Sequence, residues 1–134
     1  MSTVRLQPRQ LLAMDVVLAV LYAAAGETSS LMADRNDLQS VFREICRNPE
    51  FEILSAFRDW SNLGFSRLLN DSIEMLTYGG LICFRGRHTP RLLRINPSGI
   101  HYLESILLPQ IRDMEKVEIE LAAEVLNRKL ARLT

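Results

Sequence analysis

Two adjacent glycines, Gly79-Gly80, interrupt the most structured stretch of this chain and limit what it can become. Before them Leu68, Leu69, Ser72, Ile73 and Leu76 recur at helical spacing, which predicts a helix over Phe65–Tyr78. The glycines end it, because glycine alone takes left-handed backbone angles without steric cost. Leu81–Phe84 and Arg91–Ile95 then read as two short strands around the tight connection Arg85–Pro90. Asn96-Pro97 opens a further helix, with asparagine as N-cap and proline at the first helical position. Helix, stop, basic hairpin and capped helix all fall between Gly64 and Leu103.

The flanking sequence adds helices. Residues 1–9 read as a mobile arm. Leu11–Ala24 reads as a helix that is apolar on nearly every face, through Leu11, Leu12, Met14, Val16, Val17, Leu18, Val20 and Leu21. Such a helix must be covered all round. In a chain of 134 residues that is expected to need the domain on one side and a partner subunit on the other. Gly26–Asp34 reads as a loop. Asp34 or Asn36 caps a second helix to about Arg47, with Leu38, Val41, Phe42, Ile45 and Cys46 inward, and Asn48-Pro49 breaks it. Phe51–Phe57 reads as a short strand or turn, although Glu52, Leu54 and Ala56 suit a helix as well; Ser61-Asn62 is a loop.

After the hairpin, Pro97–Leu108 is expected as a helix kinked at Pro109, and a long amphipathic helix from Gln110 to the end. Ile111, Met114, Val117, Leu121 and Val125 form one apolar stripe of that last helix; Ile119, Ala122, Leu126, Leu130 and Leu133 lie beside it. Asp113, Glu115, Glu118, Glu120 and Glu124 form an acidic face. The expected organisation is a flexible arm 1–9, a winged-helix domain 10–108 and a C-terminal dimerisation helix 109–134. The fold class is mainly α with a small β-hairpin (α+β), with two or three strands.

Composition narrows the function classes. The chain is 48% hydrophobic with few glycines and prolines, which argues against disorder. Sixteen basic side chains balance sixteen acidic ones, so no global field draws the protein to polyanions, and local distribution decides what a groove meets. Cys46 and Cys83 each sit in an apolar run and read as small buried side chains in a reducing compartment. The apolar run Leu11–Ala25 carries Asp15 and is too short to span a bilayer, so a cytoplasmic location with no membrane partner is expected.

Within Leu76…Gly80-Leu81-Ile82…Arg91-x-Leu93-x-Ile95-Asn96-x-x-Gly99 the chain resembles the MarR- and PadR-like winged-helix families. Their shared pattern is a recognition helix, Gly-Leu-Ile, a wing, and Arg-x-Tyr-x-Leu-Thr-x-x-Gly opening the next helix; Leu93 stands for the tyrosine and Asn96 for the threonine. Leu63-Gly64-Phe65-Ser66 with Leu69-x-Asp71-x-Ile73-x-x-Leu76 is also similar to a segment of small winged-helix proteins that occur beside toxin–antitoxin and phage-defence genes, without their proline. The resemblance implies a winged helix-turn-helix. It says less of function, since such folds also bind proteins.

Two sets of residues are candidates for contact with double-stranded DNA. In the hairpin, Arg85, Arg87, His88, Arg91 and Arg94 fall together with no acid between Glu74 and Glu104. Arg85 and Arg87 are expected on one face, with Arg91 across the turn, placed to clamp phosphates. In the Phe65–Tyr78 helix, Ser66, Arg67 and Asn70 are placed for base edges, while Asp71 and Glu74 repel phosphate. The dimer interface is expected at Leu11, Val17, Leu21, Met114, Leu121 and Val125. Asp15 is either a first-turn carboxylate favoured by the helix dipole or half of an intersubunit ion pair. Cys46, Cys83, His88 and His101 lack the paired spacing of a zinc site, and no hydrolase or phosphate-loop motif is present. A cofactor-free, non-enzymatic, sequence-specific DNA-binding transcriptional regulator acting as a homodimer is expected. The alternative is a non-enzymatic winged-helix subunit that binds protein in a larger assembly.

Overall fold

A computed structural model of the chain describes residues 12–48, 51–54, 57–87 and 91–133. The expected arm, Leu11, Pro49, Ser55, His88, Pro90 and the Leu133 side chain lie outside them. The described residues are mainly helical with one small antiparallel sheet. The elements are α1 (Ala13–Ala25), β1 (Ser30–Met32), α2 (Arg35–Cys46), α3 (Arg67–Tyr78), β2 (Ile82–Arg85), β3 (Leu92–Ile95), α4 (Pro97–Tyr102) and α5 (Asp113–Leu133). No helix among the described residues is long and apolar enough to cross a membrane.

The sheet runs in the order β1-β3-β2. Ser30 pairs with Arg94 and Met32 with Leu92, while Ile82 pairs with Ile95 and Arg85 with Leu92. This register puts Leu31, Leu93, Phe84, Ile82 and Ile95 on one face, toward the core. Ser30, Met32, Cys83, Arg85, Leu92 and Arg94 share the other. The third strand lies where a loop was expected.

The core is one cluster shared by α1, α2, α3, the sheet and α5. Val17, Leu18, Val20 and Leu21 are completely buried, because α3, α5, β1, the Glu52–Leu54 turn and the segment after α4 all pack on α1. Val17 and Leu21 therefore cannot form the expected dimer contact: one chain already covers the all-round apolar helix. Asp15 is 1% exposed and accepts a 2.6 Å hydrogen bond from the Tyr102 hydroxyl on Oδ1. Its Oδ2 has no partner among the described residues. It is the first-turn carboxylate of α1, enclosed by its own chain rather than held for an intersubunit pair.

Within the stretch read as a short strand or turn, Glu52–Leu54 is a single 3₁₀ turn, and Glu118 of α5 accepts the Glu52 and Ile53 N–H groups at 3.2 and 3.0 Å. The stretch expected as one helix from Pro97 passes into π geometry over Leu103–Leu107 and 3₁₀ over Leu108–Gln110, where Pro109 stands. Within the 109–134 segment, Ile119, Ala122, Leu126 and Leu130 belong to the common core. Asn127 Nδ2 donates to Ala24 O at 3.0 Å, and Lys129 pairs with Glu44 of α2.

The glycine stop works through one residue. Gly79 keeps right-handed angles and Gly80, at φ +75°, turns left-handed. The Leu81 and Gly80 N–H groups then return to Leu76 O (2.9 Å) and Thr77 O (3.1 Å), closing the last turn of α3. Asn96 stands at the N-cap position of α4, yet its Nδ2 donates to Gly80 O at 2.9 Å instead of capping its own helix; Ser98 Oγ donates to the same carbonyl at 2.7 Å. Gly99 must lack a side chain because a Cβ there would collide with the Leu81 carbonyl.

Candidate nucleic-acid interface

The amino-terminal end of α3 is fixed by a hydrogen-bond network around the buried Ser66. Ser66 is the N-cap; its Oγ accepts Leu69 N–H at 3.1 Å and donates to Asp59 Oδ1 at 2.6 Å. Asp59 Oδ2 accepts Leu68 N–H at 2.9 Å. Burial pushes Asp59 up, but the hydrogen bonds from Ser66 and Leu68 outweigh it and leave the carboxyl below the usual aspartate range. Gln39 of α2 grips the Ser66 backbone from the other side: Oε1 accepts Ser66 N–H at 2.8 Å and Nε2 donates to Ser66 O at 2.9 Å. Ser66 is fully buried. Its expected contact with a base edge is thereby corrected, since its hydroxyl is consumed in starting the helix.

Along α3, Arg67 is exposed and Asn70 half-buried. Asn70 Nδ2 points to Glu74 Oε1 at 3.5 Å, and Arg35 of α2 pairs with the same oxygen at 3.5 Å. The Arg35 guanidinium also lies 5.7 Å from the centre of the Phe84 ring, joining α2, α3 and β2. Glu74, expected to repel phosphate, is thus partly neutralised within the chain. The open face of α3 is Arg67, Asp71, Met75 and Tyr78, the last two 58% and 84% exposed. Phe65 and Leu63 add exposed apolar surface before it.

The hairpin is anchored at its base. Arg91 N–H donates to Asp34 Oδ1 at 2.7 Å, and Ala33 N–H to Arg91 O at 2.9 Å. Asp34 is also the N-cap of α2, its own N–H held by Asp37 Oδ2 at 2.9 Å. Arg85, Arg87, Arg91 and Arg94 are all exposed and enter no ion pair among the described residues. Arg85 and Arg94 share the outer sheet face with Met32 and Leu92. The alternation expected to align Arg87 with Arg85 fails, because the strand ends at Arg85 and Gly86, at φ +105°, redirects the chain. His88 lies outside the described residues.

The contacts of Gln39 and Asp59 with Ser66 and α3 were not foreseen from the sequence. The available signals were a glutamine inside an apolar stripe and a Ser-containing start that needs an acceptor. A second arginine group was missed as well. Arg43 and Arg47, with Cys46, Trp60, Ser61 and Asn62, line a cleft of about 390 Å³ at the carboxyl end of α2. Cations there complement the negative end of the helix. Burial pushes the Cys46 thiol up to about 11, so it stays protonated at neutral pH. Among the described residues no group of three or more His, Cys, Asp or Glu gathers to hold a metal.

Of the expected dimer residues, Met114, Leu121 and half-buried Val125 keep accessible surface, whereas Val17 and Leu21 do not. Leu11 lies outside the described residues. Comparison with known proteins adds no relative: no family model matches the chain, and neither a curated protein nor a solved structure matches it.

Proposed function

We propose that this chain is a winged-helix DNA-binding transcriptional regulator that works as a homodimer. The observation that carries the reading is the strand order β1-β3-β2 in the sequence α1-β1-α2-α3-β2-β3, with a hairpin whose arginines enter no ion pair among the described residues following directly on a capped helix. In this reading α3 enters a major groove and Arg85, Arg87 and Arg91 hold phosphates beside it. The 20 residues between Cys46 and Arg67 (67 − 46 − 1) replace the tight turn usual between two such helices. The Gln39–Ser66 clamp does that turn's work of fixing α3 against α2.

A salt titration against random duplex DNA, repeated with the gene's own upstream region, tests the reading. Replacing Arg85, Arg87 and Arg91 together with alanine is expected to flatten the log–log salt slope by about one unit per lost contact. Arg67→Ala should cost about 1–3 kcal/mol at a specific site only. Absence of duplex binding even at low salt overturns the regulator. It would favour a protein-binding subunit, for which the exposed Leu63, Phe65, Met75 and Tyr78 already speak; in that case Tyr78→Ala should release a partner protein.

A further inference from the structure

The core-facing side of α5 is covered by α1 and α2, but another side carries apolar residues that nothing among the described residues covers. Met114 is 82% exposed, Val117 56% and Leu121 48%. At 100° per residue these three lie on one narrow strip, which continues through half-buried Val125 at its edge to exposed Arg128. The strip is symmetric about its middle. Met114 and Arg128 stand seven residues either side of Leu121, and Val117 and Val125 four residues either side.

We propose that two copies of this chain pair through α5, antiparallel, with the two-fold axis at Leu121. A self-complementary surface must present the same residues to itself after a half-turn, and this strip does. Leu121 meets the partner's Leu121, Val117 meets the partner's Val125, and Met114 meets the partner's Arg128, whose aliphatic stem lies over the thioether.

Charge selects both the occupant and the direction. The exposed charges near the start of the strip include Asp113, while Arg128 and Arg132 stand at its end. Antiparallel pairing brings the partner's Arg128 beside Asp113 and opposes the two helix dipoles. Parallel pairing would set Arg128 against the partner's Arg128 and Asp113 against the partner's Asp113. The pairing deepens the homodimer part of the proposed function. It does not depend on the ligand of α3.

The test uses the full chain without DNA. Sedimentation equilibrium at tens of micromolar should give twice the 15.3 kDa chain mass. Leu121→Asp should return a 15.3 kDa monomer with unchanged circular dichroism. In a Cys46→Ala, Cys83→Ser background of native circular dichroism, Leu121→Cys should form a disulfide-linked dimer on mild oxidation. Met114→Cys alone should not, yet should cross-link when mixed with Arg128→Cys. A monomeric native chain overturns the pairing, and if that monomer still binds duplex DNA the regulator reading stands without it. A dimer that Leu121→Asp leaves intact, or in which Leu121→Cys does not cross-link, overturns the proposed surface. So does assembly only with a different protein.

Discussion

The first and last helices are both rich in apolar residues, yet the chain treats them differently. α1 is enclosed: Val17, Leu18, Val20 and Leu21 have no accessible surface, and its acid and tyrosine side chains are tied down by Tyr102 and Glu104. α5 is covered on one side by the same core and keeps Met114, Val117 and Leu121 in solvent. A helix apolar all round is thus satisfied by its own domain when five other elements can reach it. A helix with a narrower second stripe is the one that keeps apolar residues in solvent. Total hydrophobicity does not separate the two cases. What separates them is the angular position of each residue relative to the neighbours that pack on it.

The sharpest way to break this contrast is to truncate one leucine on each helix. Leu21→Ala opens a cavity in the core and is expected to lower unfolding free energy by about 2–5 kcal/mol. Leu121→Ala, compared with the native chain at a concentration low enough for both to be monomeric, should change it by no more than about 0.5 kcal/mol. Urea unfolding of both variants decides the matter, and equal losses would mean that α5's open stripe is covered within the chain.

A smaller effect is expected where α1 meets α4. Tyr102→Phe removes the hydroxyl that Asp15 Oδ1 accepts and leaves a buried carboxylate without a partner, at a cost of about 1–3 kcal/mol. Adding Asp15→Leu should recover part of the loss, because two apolar groups leave nothing unsatisfied. No recovery in the double variant would show that the hydrogen bond is incidental to the packing.

The smallest effect belongs to the rim of α5. The hydrogen bond from Lys129 holds the Glu44 carboxyl below its ordinary value of 4.5. Because the folded value is the lower one, this stabilisation is present above pH 4.5 and is lost as pH falls through the folded value. Lys129→Ala should therefore shift the urea midpoint slightly at neutral pH and not at all at the acid end of the curve. A shift that persists in acid would assign the effect to packing of the lysine stem.

Much of this architecture could be read from residues alone, and the rest could not for identifiable reasons. The helix stop at Gly79-Gly80, the hairpin after it and the proline-opened α4 carry local signals that no packing overrides. β1 carries none: Ser30-Leu31-Met32 is too short for alternation to show, and its pairing partner β3 lies some sixty residues on. The burial of α1 was legible, but what covers it was not, because periodicity gives the width of an apolar face and never names the neighbour. Ser66 shows the same gap in the candidate site. Its residue type marks a helix start, and only the contacts of Asp59 and Gln39 reveal that nothing of it remains to touch a ligand. The hairpin arginines were legible as a group, while the loss of alternation beyond Gly86 depends on a single backbone angle.

The double grip of Gln39 on Ser66 also has a signature in time. The Ser66 amide belongs to the N-cap of α3, before the first amides bonded within the helix, where hydrogen exchange with solvent is ordinarily fast, yet its proton is held inside the protein by a side chain of another helix. The Arg91 amide, pinned by Asp34, is placed the same way at the hairpin base. Both amides should exchange as slowly as the helices they join, so that α2, the start of α3 and the hairpin base open together or not at all. In the regulator proposed above, the helix and its arginines would form one stiff template, and any adaptation to a groove would come from the side chains beyond those two pins.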